Sequence, residues 1–227
     1  FGLSIAWVLS GRGVRVQVVD PYGPGSGSSG GLVGALAPHV PENWNDKKAF
    51  QLDSLLMADA FWSEVQETGG GDPGYGRTGR LQPIADGHAL GLARDRTEGA
   101  RALWQGRATW EVISVDAAGA FAPVSPSGFL IHDTLTGRMH PRQACAALVA
   151  ALAVRGITVV PDAPDCGAVI WATGWRGLLD LSDQMGKAVG AGIKGQSAAL
   201  AYDAGPVPQV FVDGLHIIPH ANGTVAI

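Results

Sequence analysis

Residues 14–31 read VRVQVVDPYGPGSGSSGG, an apolar run that ends on Asp20 and continues into five glycines and three serines. The valines favour a strand over residues 14–19, and an apolar run bounded by turn residues is typical of a buried strand. Glycine lets the backbone pass close to another group, because it carries no side chain. The stretch therefore predicts a buried strand that leads into a segment of exposed N–H donors and small hydroxyl groups.

A helix is predicted immediately before this strand, over residues 3–10 (LSIAWVLS). The order helix, strand, acid is that of the second half of a β-α-β dinucleotide-binding unit. In that unit the helix N-terminus faces a pyrophosphate and the acid binds ribose hydroxyl groups. Gly2 precedes Asp20 by 18 residues, near the roughly 20 that such a unit uses. The alternative is that Asp20 is an ordinary turn residue.

Both ends of the sequence fall inside predicted elements. The chain opens on Phe1 within the helical pattern and closes on residues 224–227, whose β-branched character favours a strand. We therefore expect both termini to be truncated, with the first two glycines of a GxGxxG turn lying before Phe1.

Composition argues against several classes of function. Of the 227 residues, 46% are apolar, which is typical of a well-packed globular protein. The formal net charge of -4 gives no electrostatic footprint for nucleic acid. The two cysteines, Cys145 and Cys166, have neither a disulfide framework nor zinc-ligand spacing, so we expect no metal. No apolar run is long enough for a membrane span and no signal-peptide layout is visible, so we expect a cytoplasmic protein.

Periodicity along the rest of the chain predicts a mixed order of helices and strands, and hence an α/β class with an added α+β region. A change of domain is expected within residues 69–80. Helices are predicted over residues 47–67, 87–105 and 141–155, with a short one near 178–181, and strands within 75–84, 128–133, 157–160 and 168–173, followed by several short strands over 189–227.

Five segments, in their order along the chain, carry a family resemblance. They are FGLSIAWVLSGRGVRVQVVD (1–20), SGSSGGLVGALAPH (26–39), GRMHPRQACAALVAALAVRGITVV (137–160), AVIWATGW (168–175) and IKGQSAAL (193–200). Together they resemble the FAD-dependent D-amino-acid oxidase family, and within it the group of glycine oxidase, sarcosine oxidase and DadA-like dehydrogenases. The first segment is shared by many flavoproteins, whereas the others together are more specific.

The resemblance implies an FAD-binding, Rossmann-like domain of the glutathione-reductase type with an interleaved α+β substrate domain. The FAD-binding domain would comprise residues 1–74 and 137–190, and the substrate domain residues 75–136 and 191–227. The link of residues 161–167 is shorter than in the family, which usually inserts a three-stranded meander there.

The resemblance also implies which residues hold FAD. Gly2 would face the pyrophosphate and Asp20 would hold the adenosine ribose. Two further groups would approach the cofactor: Ser28, Ser29, Gly31, Leu32 and Val33 along the pyrophosphate and flavin, and Thr173 with Gly174 at the end of a predicted strand. A purely structural interpretation stays open for both groups. The serines could form a helix N-cap, and residues 173–174 could form a strand-to-helix turn.

Candidates on the substrate side are Tyr75, Arg77, Arg80 and His216. Glycine oxidase-like relatives have a tyrosine at the position of His216, so glycine is a doubtful substrate. The alternatives are that both arginines are solvated strand charges and that His216 is a satisfied core histidine. The arginine that grips a substrate carboxylate in the family would come after Ile227.

For the reaction, the resemblance implies hydride transfer from the substrate's α-carbon to flavin N5, which oxidises the C–N bond of an amino acid or secondary amine to an imine. Oxygen or a respiratory carrier would be the electron acceptor. Three other functions stay open: an FAD-dependent tRNA-uridine-modifying domain, a nicotinamide dehydrogenase, and a non-catalytic flavin-binding remnant. The lack of a basic signal disfavours the first of these, and the serine-glycine stretch after Asp20 disfavours the second.

Overall fold

Five helices and eleven short strands are distributed over two units in the computed structural model, which describes residues 1–227. Each unit is assembled from three stretches of the chain. The first unit comprises Phe1–Gly31, Ser63–Pro73 and Pro141–Ser197, and the second comprises Leu32–Trp62, Gly74–His140 and Ala198–Ile227.

The first unit contains most of the predicted dinucleotide-binding elements. Its elements are α1 (Gly2–Gly11), β1 (Val18–Val19), the C-terminal end of α2 (Asp46–Gly69), α4 (Pro141–Val154), β7 (Val159–Val160) and α5 (Gly174–Met185). Strands β1 and β7 pair in parallel, and Val18 lies opposite Val159. A parallel pair of this kind needs a crossover connection, and parallel strands flanked by helices are typical of α/β proteins.

Arg155 holds the helices of the first unit together. Its guanidinium lies 3.2 Å from the ring centroid of Trp7, and its Nη1 donates to the carbonyl oxygen of Trp7 at 2.8 Å. Nη2 forms an ion pair with Glu64 at 3.0 Å. Arg155 follows the last residue of α4, so one side chain connects α1, α2 and α4. The helices also approach closely, since a Cβ at Gly69 would come within 2.6 Å of the backbone nitrogen of Ala151.

The second unit is built on a seven-stranded sheet. Its elements are β2 (Ala35–Leu36), the N-terminal part of α2, β3 (Arg80–Pro83), α3 (Gly87–Trp104), β4 (Trp110–Ser114), β5 (Phe129–Asp133), β6 (Gly137–Arg138), β8 (Ala199–Ala201), β9 (Gln209–Val212), β10 (Leu215–Pro219) and β11 (Thr224–Ala226). The strand order is β4-β5-β3-β9-β10-β11-β8, and β2 pairs separately with β6. Only β3 and β9 are parallel; the other neighbours in the large sheet are antiparallel.

The two faces of this sheet differ in chemistry because successive side chains of a strand point to opposite sides. One face carries the apolar cluster of Leu81, Leu130 and Val210. On the other face, Trp110 and Trp104 pack edge to face with ring centroids 6.2 Å apart. Leu52, Leu55, Ala100, Ala108 and Leu135 complete that second cluster.

A buried ion pair lies on the second face, beside the tryptophan cluster. Nε of Arg80 donates to Oδ2 of Asp133 at 3.0 Å, and the Asp133 side chain is fully buried. The other carboxylate oxygen of Asp133 accepts from the backbone N–H of Thr136 at 2.8 Å. Because Arg80 and Asp133 are directly opposite in register, the pair ties β3 to β5 and to the turn that follows β5.

Most of the helices predicted from the sequence are confirmed within one or two residues at each end, and so is the mixed α/β class. The helix predicted near residues 178–181 is longer than expected and spans Gly174–Met185. Strand β4 was not predicted.

Two strand predictions are wrong. The strand expected over residues 14–19 is reduced to Val18–Val19, and it is not buried, since Val14 and Val19 are each nearly half exposed. No strand forms over residues 168–173, where Trp171 is 76% exposed. The physical reason is the same in both places. A strand requires a hydrogen-bonding neighbour, and the sheet of the first unit has only two strands.

Two further features bear on function. None of the five helices combines the length and the apolar character that a bilayer span requires. No group of three or more His, Cys, Asp or Glu side chains is placed to hold a metal ion.

We predict that Asp133→Ala lowers the free energy of unfolding by about 3–5 kcal/mol, because it leaves the Arg80 guanidinium buried without its partner. The measurement is chemical denaturation followed by circular dichroism. The control is Glu98→Ala, which breaks the exposed Arg101–Glu98 pair and should cost at most about 1 kcal/mol. Equal losses in the two variants would contradict a structural role for the buried pair.

Candidate active site

The N-terminus of α1 lies against the segment that precedes α5. A Cβ at Gly2 would touch the Cβ of Ala172 at 3.5 Å, so the first turn of α1 is next to Thr173 and Gly174. No side chain caps the first turn of α1, and the Thr173 hydroxyl makes no cap hydrogen bond to α5. Uncapped N–H groups and the positive end of a helix dipole favour an anionic ligand. The structure therefore brings together two of the predicted cofactor positions in the first unit.

Asp20 lies directly after β1, where a ribose-binding acid is expected. Its backbone N–H donates to the carbonyl oxygen of Val160 at 2.9 Å, which fixes it at the end of the parallel pair. One carboxylate oxygen accepts from the N–H of Tyr22 at 3.1 Å. The second oxygen has no partner in the chain, so Asp20 forms a turn and still offers an acceptor to a ligand.

The glycine-serine segment is a tightly folded turn. Ser28–Gly30 forms one turn of 3-10 helix, and a Cβ at Gly30 would overlap the carbonyl oxygen of Gly25. Gly25 itself has φ +79°, a left-handed conformation that side chains disfavour. The hydroxyl groups of Ser28 and Ser29 bond no group of the chain and are exposed. The segment thus presents backbone and hydroxyl donors without side chains in the way.

Helix α4 anchors this turn from one side. Nε of Arg142 donates to the carbonyl oxygen of Gly30 at 2.6 Å. Sγ of Cys145 lies 3.9 Å from the carbonyl oxygen of Ser29. Burial raises the pKa of the Cys145 thiol, so it is a neutral weak donor. Sequence reasoning missed Arg142, because nothing near it in the sequence indicates contact with a residue 112 positions away.

The remaining predicted cofactor residues, Leu32 and Val33, belong to the second unit. Nε2 of His220 lies 2.9 Å from the carbonyl oxygen of Leu32. Burial lowers the pKa of His220, and electrostatic interactions with His140 and Arg138 lower it further, although the hydrogen bond to Leu32 raises it. His220 is therefore neutral, and its Nε2–H donates to Leu32. Sequence reasoning missed His220 too, since 188 positions separate it from Leu32.

Tyr75 and Arg77 lie together beside Asp59 of α2. Nε of Arg77 donates to the carbonyl of Thr134 at 2.8 Å, and Nη2 donates to that of Arg107 at 2.7 Å. Burial raises the pKa of Tyr75, and the charge of Asp59 raises it further. Tyr75 is therefore a neutral phenol, and Arg77 is a bridge between loops rather than a solvated charge.

Arg80 and His216 also lie near each other on the second face of the large sheet. The ring of His216 lies 4.6 Å from that of Phe211, and its Nδ1 is buried without a hydrogen-bond partner. Burial lowers the pKa of His216, and the Arg80 charge lowers it further. His216 is thus a neutral histidine with an unsatisfied nitrogen, and Arg80 is held in its buried pair with Asp133.

The comparisons with known proteins converge on one family. The family model described as FAD dependent oxidoreductase matches residues 1–227. No curated protein has a sequence significantly similar to the chain.

Solved structures with similar folds are themselves oxidoreductases by name. Glycine oxidase from Geobacillus kaustophilus has a TM-score of 0.79 at 18% identity, with 99% of this chain and 67% of that chain covered. Iminodiacetate oxidase from a Chelativorans species has a TM-score of 0.73 at 17% identity, with 99% and 67% covered. L-proline dehydrogenase from P. horikoshii has a TM-score of 0.69 at 15% identity, with 99% and 65% covered. The chain thus spans about two thirds of their length, and identities this low establish the fold alone.

The lowered pKa values of His216 and His220 predict a pH-dependent stability. Both histidines have an ordinary value of 6.5 when unfolded, so the unfolded state takes up protons first as the pH falls. The free energy of unfolding should therefore decline between about pH 6.5 and the folded pKa values. Denaturation curves at about pH 7.5 and about pH 5.5 measure the decline.

A variant isolates the contribution of His220. His220→Gln keeps a donor for Leu32 but cannot titrate, so it should reduce the decline. His88→Gln removes an exposed histidine and serves as the control. A decline that is the same in the wild type and in both variants would rule out His220 as its source.

Proposed function

The chain belongs to the family of FAD-dependent oxidoreductases, and we propose that it oxidises the C–N bond of an amino acid or secondary amine to an imine. Membership confirms the resemblance drawn from the sequence, and with it the enzyme class and FAD as the family's cofactor. The similar structures named glycine oxidase, iminodiacetate oxidase and L-proline dehydrogenase support an amine or amino acid as substrate. Bound FAD would supply the oxidising power, because its flavin ring accepts a hydride from the carbon next to nitrogen.

One observation carries the cofactor assignment: the uncapped N-terminus of α1 lies against Ala172, which directly precedes Thr173 and Gly174. A pyrophosphate fits this place, because its negative charge would satisfy the orphan N–H groups of the first turn. The unbonded Thr173 hydroxyl offers a further donor. We assign Gly2, Thr173 and Gly174 to the pyrophosphate side on this basis.

The other cofactor residues fit the same group. The free carboxylate oxygen of Asp20 would accept from a ribose hydroxyl. Ser28, Ser29 and Gly31 would donate from backbone and hydroxyl groups, as successive N–H groups in tight turns do for phosphate. For Leu32 and Val33, in the second unit, the proposal rests on the resemblance, and His220 holds the Leu32 carbonyl.

These assignments give each unit a role. We propose that the first unit is the Rossmann-like FAD-binding domain, for which residues 1–74 and 137–190 were expected. Of these, residues 32–62, 74 and 137–140 lie in the second unit. The second unit would be the substrate domain, for which residues 75–136 and 191–227 were expected. Its large antiparallel sheet supplies the rigid surface that a substrate site needs.

On the substrate side, we propose that Tyr75 and His216 contact the substrate as neutral hydrogen-bonding groups. Arg77 and Arg80 would act chiefly as positioning residues, because Arg77 bridges two loop carbonyls and Arg80 holds Asp133. An acid-base pair is not required, since the protein's task is to orient the reacting C–H bond and exclude competing orientations.

The proposed function predicts flavin reduction by amines. The purified protein should contain flavin, and anaerobic addition of a substrate should bleach its visible absorbance. The compounds to be tested are glycine, sarcosine, proline and both enantiomers of common amino acids. The controls are matched carboxylic acids that lack the amine. Readmitted air would restore the colour if oxygen is the acceptor, and a quinone would be needed otherwise. A flavin-loaded protein that no amine reduces would refute the proposed reaction.

The glycine-serine segment predicts a second result, on affinity for FAD. Gly30→Ala should weaken FAD binding at least about tenfold, because the added Cβ overlaps the Gly25 carbonyl and displaces the donors. Gly27→Ala is the matched control, since nothing lies within 4 Å of a Cβ there and its φ of -97° suits alanine. Titration of the apoprotein with FAD, followed by fluorescence quenching, measures both. Equal affinities would show that the turn does not contact FAD.

A further inference from the structure

Three side chains form a row across the second face of the large sheet: Gln82 on β3, Phe211 on β9 and His216 on β10. Phe211 and His216 are directly opposite in register, and their rings are 4.6 Å apart. Leu81 pairs with Val210, so the next residues along these parallel strands, Gln82 and Phe211, are neighbours. Residues in register point to the same side of a sheet.

Both polar members of this row have a buried atom without a partner. Nε2 of Gln82 and Nδ1 of His216 are inaccessible to solvent and bond no group of the chain. Buried polar atoms are nearly always paired, so an unpaired one requires an explanation. The row itself is only half-buried, whereas the neighbouring row of Asp133, Arg80 and Gln209 is buried. The unpaired atoms therefore belong to side chains that are only partly covered by the rest of the unit.

The row offers hydrogen bonds but no net charge. In the neighbouring row, Arg80 and Asp133 form an ion pair at 3.0 Å. Burial and the Arg80 charge lower the pKa of His216, so the imidazole is neutral near pH 7. The Gln82 amide is a neutral donor, and an imidazole N–H can be a second one. Phe211 lies between them as an apolar wall.

We propose that the row of Gln82, Phe211 and His216 receives the substrate's side chain and selects one that ends in an uncharged oxygen acceptor, such as a carboxamide. This inference rests on the proposed amine oxidation and adds to it the chemical class of the substrate. It also identifies Gln82 as a specificity-determining residue, which the sequence did not indicate.

The preference follows from the cost of leaving polar groups unpaired. An aliphatic side chain would fill the row but leave the Gln82 amide and the His216 nitrogen without partners. A carboxylate would find donors but no cation within the row, and burying an unpaired charge costs more than burying a neutral polar group. A neutral carbonyl oxygen can accept from either donor, and it is less costly to desolvate than a carboxylate.

Asparagine, leucine and aspartate test this directly, since their side chains have almost the same shape. For the enantiomer that reduces the flavin, kcat/KM should be highest for asparagine. Gln82→Met removes the amide and keeps the length, so it should lower kcat/KM for asparagine about fivefold, the effect of one net hydrogen bond, and change that for leucine less than about twofold. His216→Phe should act in the same direction. Gln66→Met, at an exposed position on α2, is the control and should change neither value.

A binding measurement keeps the test independent of turnover. Succinamate, 4-methylpentanoate and succinate are the same three molecules without the amine, and their affinities for the flavin-loaded protein can be measured by calorimetry. Succinamate should bind about fivefold more tightly than 4-methylpentanoate, and Gln82→Met should abolish the difference. If Gln82→Met changes asparagine and leucine equally, or succinamate shows no advantage, the row does not select side chains. If no amine reduces the flavin but succinamate is preferred, the proposed reaction fails and the assigned row stands.

Discussion

The contact between Arg80 and Asp133 sets the geometry of the second unit. It joins neighbouring strands β3 and β5 through buried charges, and the second oxygen of Asp133 fixes the turn that leads to β6. A buried carboxylate is tolerated only when its oxygens are bonded, so this arrangement specifies one register of β3 against β5. It also gives an anionic partner to the Arg80 guanidinium, whose charge lowers the pKa of His216. The ion pair thus determines both the shape and the electrostatic character of the proposed substrate side.

In the first unit, by contrast, the candidate cofactor residues act mostly through backbone groups rather than through side-chain charges. The turn over residues 23–31 depends on glycine where the chain folds onto itself, at Gly30 against Gly25. Ordering such a turn is costly, because glycine loses more conformational entropy on ordering than other residues. Arg142 compensates by holding the Gly30 carbonyl from α4. In the second unit, His220 holds the carbonyl of Leu32 in the same way.

Local patterns predicted the helices and the candidate acid, and they failed where structure depends on distant partners. The helix of residues 47–67 follows from apolar spacing alone, and Asp20 follows from its place after a valine run. Residues 168–173 have an equally apolar pattern, but no neighbouring strand bonds them in the first unit. Arg142 and His220 carry no local signal, because their partners lie 112 and 188 positions away. Gln82 carries no local signal either, because only the order of the strands in the sheet makes it a neighbour of Phe211.

A neutral histidine at position 216 changes what the second unit can recognise. The resemblance places a tyrosine there in glycine oxidase-like relatives, and a phenol is also a neutral donor near pH 7. The chemistry of the donor is therefore kept, but the imidazole is shorter than a phenol. A substrate as small as glycine has no side chain that could bond the unpaired atoms of Gln82 and His216. Unsatisfied donors weaken binding, so a histidine at this position favours an amine with a longer, polar substituent.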